Sequence, residues 1–188
     1  MRWSEIAAGR GVALGARTRF NDLVGWERST AQPDPPWPWQ PPEPGSLTRD
    51  ECSVLIDVLA RYTSTPDRCW FAAWEGYGWT GFPPQGSGPP RVRLEHRDCL
   101  LFSGAVRAAD AFRSGPWFQS PTLWWPDDRA WVVASELDIY STYLAAGAEC
   151  IAELVADARV EVLACAPEDR IDISPYPDPG AAEGNDAP

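Results

Sequence analysis

The sequence predicts an α+β protein: a mainly antiparallel sheet of four to six strands with two main helices packed on one face. Three observations carry that expectation. Periodic segments follow one another in the order helix, strand, hairpin strands, strand, helix, strand. The strand-like runs are short, aromatic or β-branched, and bounded by Gly, Pro and Asp. The chain has 188 residues, 44% of them apolar, enough for one sizeable core.

Residues 3–8 suit a short helix, and 19–26 carry enough apolar character to dock on a core, so 1–31 read as an N-terminal segment lying on the body. The run from Gly9 to Gly15 is one residue out of register for a dinucleotide fingerprint and follows no strand, which predicts a loop. Residues 32–45 set Trp37 and Trp39 among prolines, a composition that favours polyproline II. This connector is either a stiff spacer whose tryptophans cover the same protein or a ligand for an aromatic groove.

The body, 46–173, opens with the clearest helix, at about 48–63. Ser46 or Thr48 caps it, Asp50 and Glu51 suit its first turn, and Leu55, Val58, Leu59 and Tyr62 recur at helical spacing. Thr65, Pro66 and Asp67 end it, and 69–74 read as a buried aromatic strand. A Gly/Pro-rich loop at 81–90 follows. Residues 91–95 alternate with Val92 and Leu94 inward, 99–102 are apolar throughout, and the short link His96-Arg97-Asp98 fits a hairpin. Beyond them the pattern predicts a short helix at 105–112, an aromatic loop at 115–126 and a strand at 130–137. A helix at 145–158 carries Ile151, Leu154 and Val155 on one stripe, and a last strand spans 160–164. The end, 174–188, is rich in Pro, Gly, Ala and acid and reads as a disordered tail.

Composition excludes several chemistries. There is no lysine, which removes the P-loop and Schiff-base routes. The single histidine, His96, is the one available base for a Ser–His or Cys–His device, and it sits in a polar turn. His96-Arg97-Asp98 echoes a kinase catalytic loop but lacks the downstream asparagine and the strand lysine. Five cysteines never reach a C-x-x-C spacing, and four lie in apolar runs where a thiol acts as a small hydrophobe. No metal and no cofactor is therefore expected. The net charge of −11 opposes nucleic acid and anionic membrane surfaces and is compatible with a basic protein partner. The odd cysteine count, with no signal peptide and no apolar stretch of about 18 residues, predicts a cytoplasmic protein. Oligomeric state is left open.

Polar and aromatic groups are densest between Trp124 and Tyr143. Trp125 to Tyr143 follows the pattern Trp-Pro-x-Asp-Arg-Ala-Trp-x-Val-Ala-Ser/Thr-Glu-x-Asp-x-x-Ser-Thr-Tyr, and Cys69 to Trp79 reads Cys-Trp-Phe-x-x-Trp-Asp/Glu-Gly-x-Gly-Trp. Together these resemble a family of uncharacterised actinobacterial proteins over most of residues 47–165. The chain departs from it at Ala145-Ala146-Gly147, where a glycine-rich turn is expected. The resemblance implies kinship and no mechanism.

Strand alternation puts Val132, Ala134, Glu136 and Asp138 on one face and Trp131, Val133, Ser135 and Leu137 on the other. Two carboxylates on one side can serve as acid and nucleophile or base in glycoside hydrolysis, with tryptophans stacking on sugar rings. Alternatively Glu136 or Asp138 pairs with Arg129 or another arginine, and Ser141 and Thr142 bond nearby backbone in a turn. Trp70, Trp74 and Trp131 read as core, whereas Trp117, Trp124 and Trp125, in a loop beside prolines, read as a pocket rim or interface. The expected binding set is therefore Trp117, Trp124, Trp125, Arg129, Glu136, Asp138, Ser141, Thr142 and Tyr143. The favoured function is a non-catalytic protein-interaction module of adaptor or immunity type, binding a protein partner through the loop aromatics. The alternative is a small-molecule or carbohydrate binder or hydrolase using Glu136 and Asp138.

Overall fold

A computed structural model describes residues 2–24, 43–77, 89–94, 97–137 and 139–169. The Trp37/Trp39 connector up to residue 42, the loop 78–88, His96, Asp138 and the tail lie outside the described residues. Two short helices come first, α1 (Trp3–Arg10) and α2 (Phe20–Val24), then α3 (Arg49–Leu59) and strand β1 (Cys69–Trp74). A 3-10 turn at Glu75–Tyr77 precedes β2 (Arg91–Leu94) and β3 (Arg97–Gly104). A second 3-10 segment at Val106–Ala111 leads to β4 (Arg113–Ser114) and β5 (Trp117–Phe118). The chain then forms β6 (Leu123–Pro126), β7 (Trp131–Ser135), β8 (Thr142–Ala146) and α4 (Ala148–Ala156).

Six strands make one sheet in the order β2-β3-β1-β6-β7-β8, with every pairing antiparallel, and β4 with β5 forms a small separate ribbon. The expected α+β class and its antiparallel sheet hold. Helix α3 starts where the sequence places it because Thr48 and Glu51 close a reciprocal capping box: the Glu51 N–H bonds the Thr48 hydroxyl at 3.3 Å, and the Thr48 N–H bonds Glu51 Oε2 at 2.9 Å. The helix ends at Leu59 rather than near residue 63. Its apolar stripe and that of α4 cover one face of the sheet. There Leu55, Val58, Leu59 and Leu154 meet Phe71, Trp124, Trp131 and Val133 in one buried cluster. Trp131 donates Nε1–H to the Leu59 carbonyl at 3.0 Å, fixing the end of α3 over β7.

Residues 2–24 build a second, smaller cluster from Ile6, Ala7, Phe20, Leu23 and Val24, against which Trp3, Leu14 and Tyr140 pack. Phe20 and Tyr140 lie 4.8 Å apart between ring centroids. Glu161 accepts the Trp3 and Ser4 N–H groups at 2.6 and 3.0 Å, which suits a carboxylate at a helix N-terminus.

Three expectations are corrected. Residues 160–164 form no strand, because the chain there spends its polar groups on α1 and on local turns. The helix expected at 145–158 begins only at Ala148, and the preceding residues make β8, a strand that pairs with β7 along its whole length. The short helix expected at 105–112 is present, as a 3-10 helix over Val106–Ala111. The loop expected at 115–126 contains β5 and β6, so Trp124 and Trp125 stand on a strand in the middle of the sheet.

Candidate functional site

Antiparallel pairing places opposed residues on the same face, so the register sorts the tryptophans. Phe71 opposes Trp124, and Trp124 opposes Val133, all on the helix-covered face. Trp70 opposes Trp125 on the other face, where Leu123 lies opposite both Ala72 and Ala134 and Val132 lies opposite Ala145. Trp124 is fully buried, stacked on Phe71 at 6.3 Å and edge-on to Trp131 at 5.3 Å. It is a core residue, correcting its expected place at a rim. Trp70, expected in the core, belongs with half-buried Trp125 on the face that the buried cluster does not include. Trp131 is core as expected.

The turn between β6 and β7 is clamped on both sides. On the Trp70 side, Asp127 accepts the Trp70 Nε1–H at 3.2 Å, pairs with Arg68 at 3.6 Å, and donates its own N–H to the Arg68 carbonyl at 2.8 Å. Asp128 faces the loop after α3. It accepts the Thr63 and Ser64 hydroxyls, both at 2.8 Å, the Ser64 N–H at 2.7 Å and the Ala130 N–H at 3.1 Å. Partial desolvation pushes its pKa up, but these hydrogen bonds together outweigh it and bring the carboxyl down to about 2. Arg129 completes the turn at φ 56°, the left-handed region that a bulky side chain rarely adopts, and its side chain is exposed. This rigid tip stands beside the Trp70–Trp125 pair.

Glu136 does not present a free carboxylate. It is ion-paired with the Arg97 guanidinium, and its Oε1 also accepts the Leu137 N–H at 3.0 Å. Arg97 lies 5.8 Å from the Trp74 ring centroid, and its buried Nη1 has no hydrogen-bond partner among the described residues. Glu136 is thus the arginine-paired carboxylate of the second reading, with Arg97 rather than Arg129 as its partner. Asp138 lies outside the described residues, so the two-carboxylate geometry rests on Glu136 alone.

Thr142 opens β8 rather than sitting in a turn, and its hydroxyl bonds that of Ser135 at 2.8 Å on the helix-covered side. Tyr143 opposes Ala134 on the other face; burial pushes its phenol pKa up while a hydrogen bond from Ser141 pulls it down. Trp117 stands apart at the tip of the β4–β5 ribbon, 73% exposed, where Gly115 takes the left-handed φ of 60° that a two-residue hairpin loop needs. The structure therefore brings Trp125 and Arg129 together with Trp70 and Asp127. It separates them from Glu136 at the far end of β7, from Trp117 and from Trp124.

Trp70, Asp127 and Arg97 were not in the expected set. The alternation of residues 69–74 already puts Trp70 and Phe71 on opposite faces; which face the helices take is absent from the local sequence. Four cysteines, Cys52, Cys69, Cys99 and Cys150, are buried free thiols. Burial pushes Cys52 up to about 12 and Cys69 up to about 11, far from the reactive thiolate. Among the described residues no group of three or more His, Cys, Asp and Glu is placed to hold a metal, and no helix is long and apolar enough to cross a membrane. Comparison with family models, curated proteins and solved structures finds no match to this chain.

Proposed function

We propose that this protein is a non-catalytic interaction module of adaptor or immunity type, which engages a protein partner through the Trp70–Trp125 corner of its sheet. The observation that supports this most is the pairing of half-buried Trp70 and Trp125 beside a turn locked by Asp127 and Asp128 and tipped by Arg129. Tryptophan and arginine dominate the energetics of protein interfaces, and a rigid presentation reduces the ordering cost of binding. Glu136, the one described member of the carboxylate pair, is engaged by Arg97, which favours this reading over glycoside hydrolysis. The acidic charge argues for a partner that is not nucleic acid, and the free buried thiols fit a reducing cytoplasm. Kinship with the actinobacterial family is part of the same proposal: its motif covers the turn and β7.

The test is retention of proteins from a lysate of the source cells on the immobilised chain, compared with its Trp125→Ala, Trp70→Ala and Trp117→Ala variants. A specific partner kept by Trp117→Ala and lost by Trp125→Ala and Trp70→Ala supports the assignment. Equal retention by all four forms, or retention of a glycan-bearing species released by free sugar, overturns it.

A further inference from the structure

At the other end of the molecule, the loop joining α1 to α2 and the segment after α4 border an open cleft of about 550 Å³. Its apolar wall is formed by Val12 and Leu14, with Leu23 buried beneath them. The charged groups lining it are Arg17 and Asp169, joined by a 2.7 Å bond from Arg17 Nε to Asp169 Oδ1. The two partners are unequal: the Arg17 side chain is 76% exposed and that of Asp169 only 17%. Asp169 is also held from its own side, since Oδ2 accepts the Ala166 N–H at 2.9 Å and its N–H donates to the Ala166 carbonyl at 3.0 Å. Within the same loop, a 2.9 Å bond from the Gly15 N–H to the Thr18 hydroxyl braces the lining.

We infer that this cleft binds an ammonium group on a short aliphatic stem, with Asp169 taking the charge and Val12 and Leu14 the stem. An exposed ion pair such as Arg17–Asp169 contributes little, so an incoming cation displaces Arg17 cheaply. The carboxylate stays in place and ionised when Arg17 leaves. The Ala166 N–H is the largest cause of its lowered pKa and the Arg17 hydrogen bond the next. The volume lies in the range of small-ligand sites, and a chain of net charge −11 attracts cations at long range. Free alkylamines and the lysine side chain of a partner share this chemistry.

The experiment titrates the ¹⁵N-labelled full chain with pentane-1,5-diamine, with Nα-acetyl-lysine methylamide and with butyrate as an anionic control, following amide shifts of residues 12–18 and 166–169. Both amines are expected to move these amides, or the lysine derivative alone if the natural source is a partner side chain; butyrate moves none. Asp169→Asn should weaken binding at least ~10-fold, a loss of about 1.4 kcal/mol. Arg17→Ala should tighten it several-fold by removing the competing cation. Unchanged amide dispersion in β1 and α4 reports that both variants fold. The inference is overturned by no shift with either amine up to ~50 mM, well above the millimolar range of weak binding. Equal shifts with butyrate, or a loss in Arg17→Ala as large as that in Asp169→Asn, overturn it too.

Discussion

Trp124 and Trp125 are neighbours on one strand and meet opposite fates. Trp124 is fully buried among Phe71, Trp131 and the helix stripes, while Trp125 is half-buried beside Trp70 on the face outside that cluster. Identical side chains, one residue apart, are thus fully buried in the core on one face and half-buried on the other. The lesson is that residue type and neighbouring prolines do not rank tryptophans for burial. The strand's parity and the position of the helices do.

The comparison breaks most visibly in denaturation. Trp124→Ala should cost ~3–5 kcal/mol, because the cavity cannot collapse among fully buried rings, and lower Tm by about 10 °C. Trp125→Ala should cost no more than ~1 kcal/mol while removing partner binding. Urea unfolding of the two variants side by side measures the difference, and equal losses would mean that both faces are core.

The turn beside the half-buried pair should come next in size. Asp128→Ala removes the acceptor of four hydrogen bonds and should cost ~1–2 kcal/mol, read from the same urea midpoints. The wild-type carboxyl should also show its contribution in the pH dependence of stability. Its folded pKa of about 2 lies below the unfolded value near ~3.9, so the stabilisation is fully present above about pH 5. It fades as pH falls through the interval between the two values and is gone below about pH 2; discounted for exposure, it amounts to ~1 kcal/mol. Asp128→Asn should flatten that part of the stability curve, and an unchanged acid limb would show that the clamp is not charged.

The smallest expected effect has the opposite sign. Arg129 pays a left-handed backbone strain that glycine avoids, so Arg129→Gly should stabilise the fold by ~0.5 kcal/mol once the greater freedom of unfolded glycine is counted. Calorimetry checks the rise in Tm, and the retention assay asks whether the partner weakens. A gain in stability with a loss of binding would identify Arg129 as kept for contact. A gain with no loss would reduce it to a turn residue.

Much of the fold was legible in the sequence because its signals are local. The Thr48–Glu51 capping box, the helical spacing of Leu55, Val58 and Leu59, and the aromatic run at 69–74 each state their own conformation. The pairing of β2 with β3 followed from two strand-like runs separated by a short polar link. The errors fell where local preference competes with distant partners. Residues 142–146 contain Thr-Tyr-Leu and then Ala-Ala, which suits helix or strand, and pairing with β7 decided for strand. Residues 160–164 alternate like a strand, yet Glu161 is drawn to the N-terminus of α1, about 158 positions away in the chain, as the bonds to Trp3 and Ser4 show.

The candidate site divides in the same way. Alternation along 131–137 placed Glu136 opposite in sense to Trp131 from the sequence alone, and the need of a carboxylate for a cation made an arginine partner the natural expectation. Which arginine, and which face, waited on the fold. Arg97 reaches Glu136 although β1 and β6 lie between their strands, and Trp70 joins Trp125 because β1 and β6 pair in one register. Period and composition are properties of consecutive residues, so the sequence carries them. Sheet order, register and the side the helices choose arise only when segments far apart in the chain bury surface together.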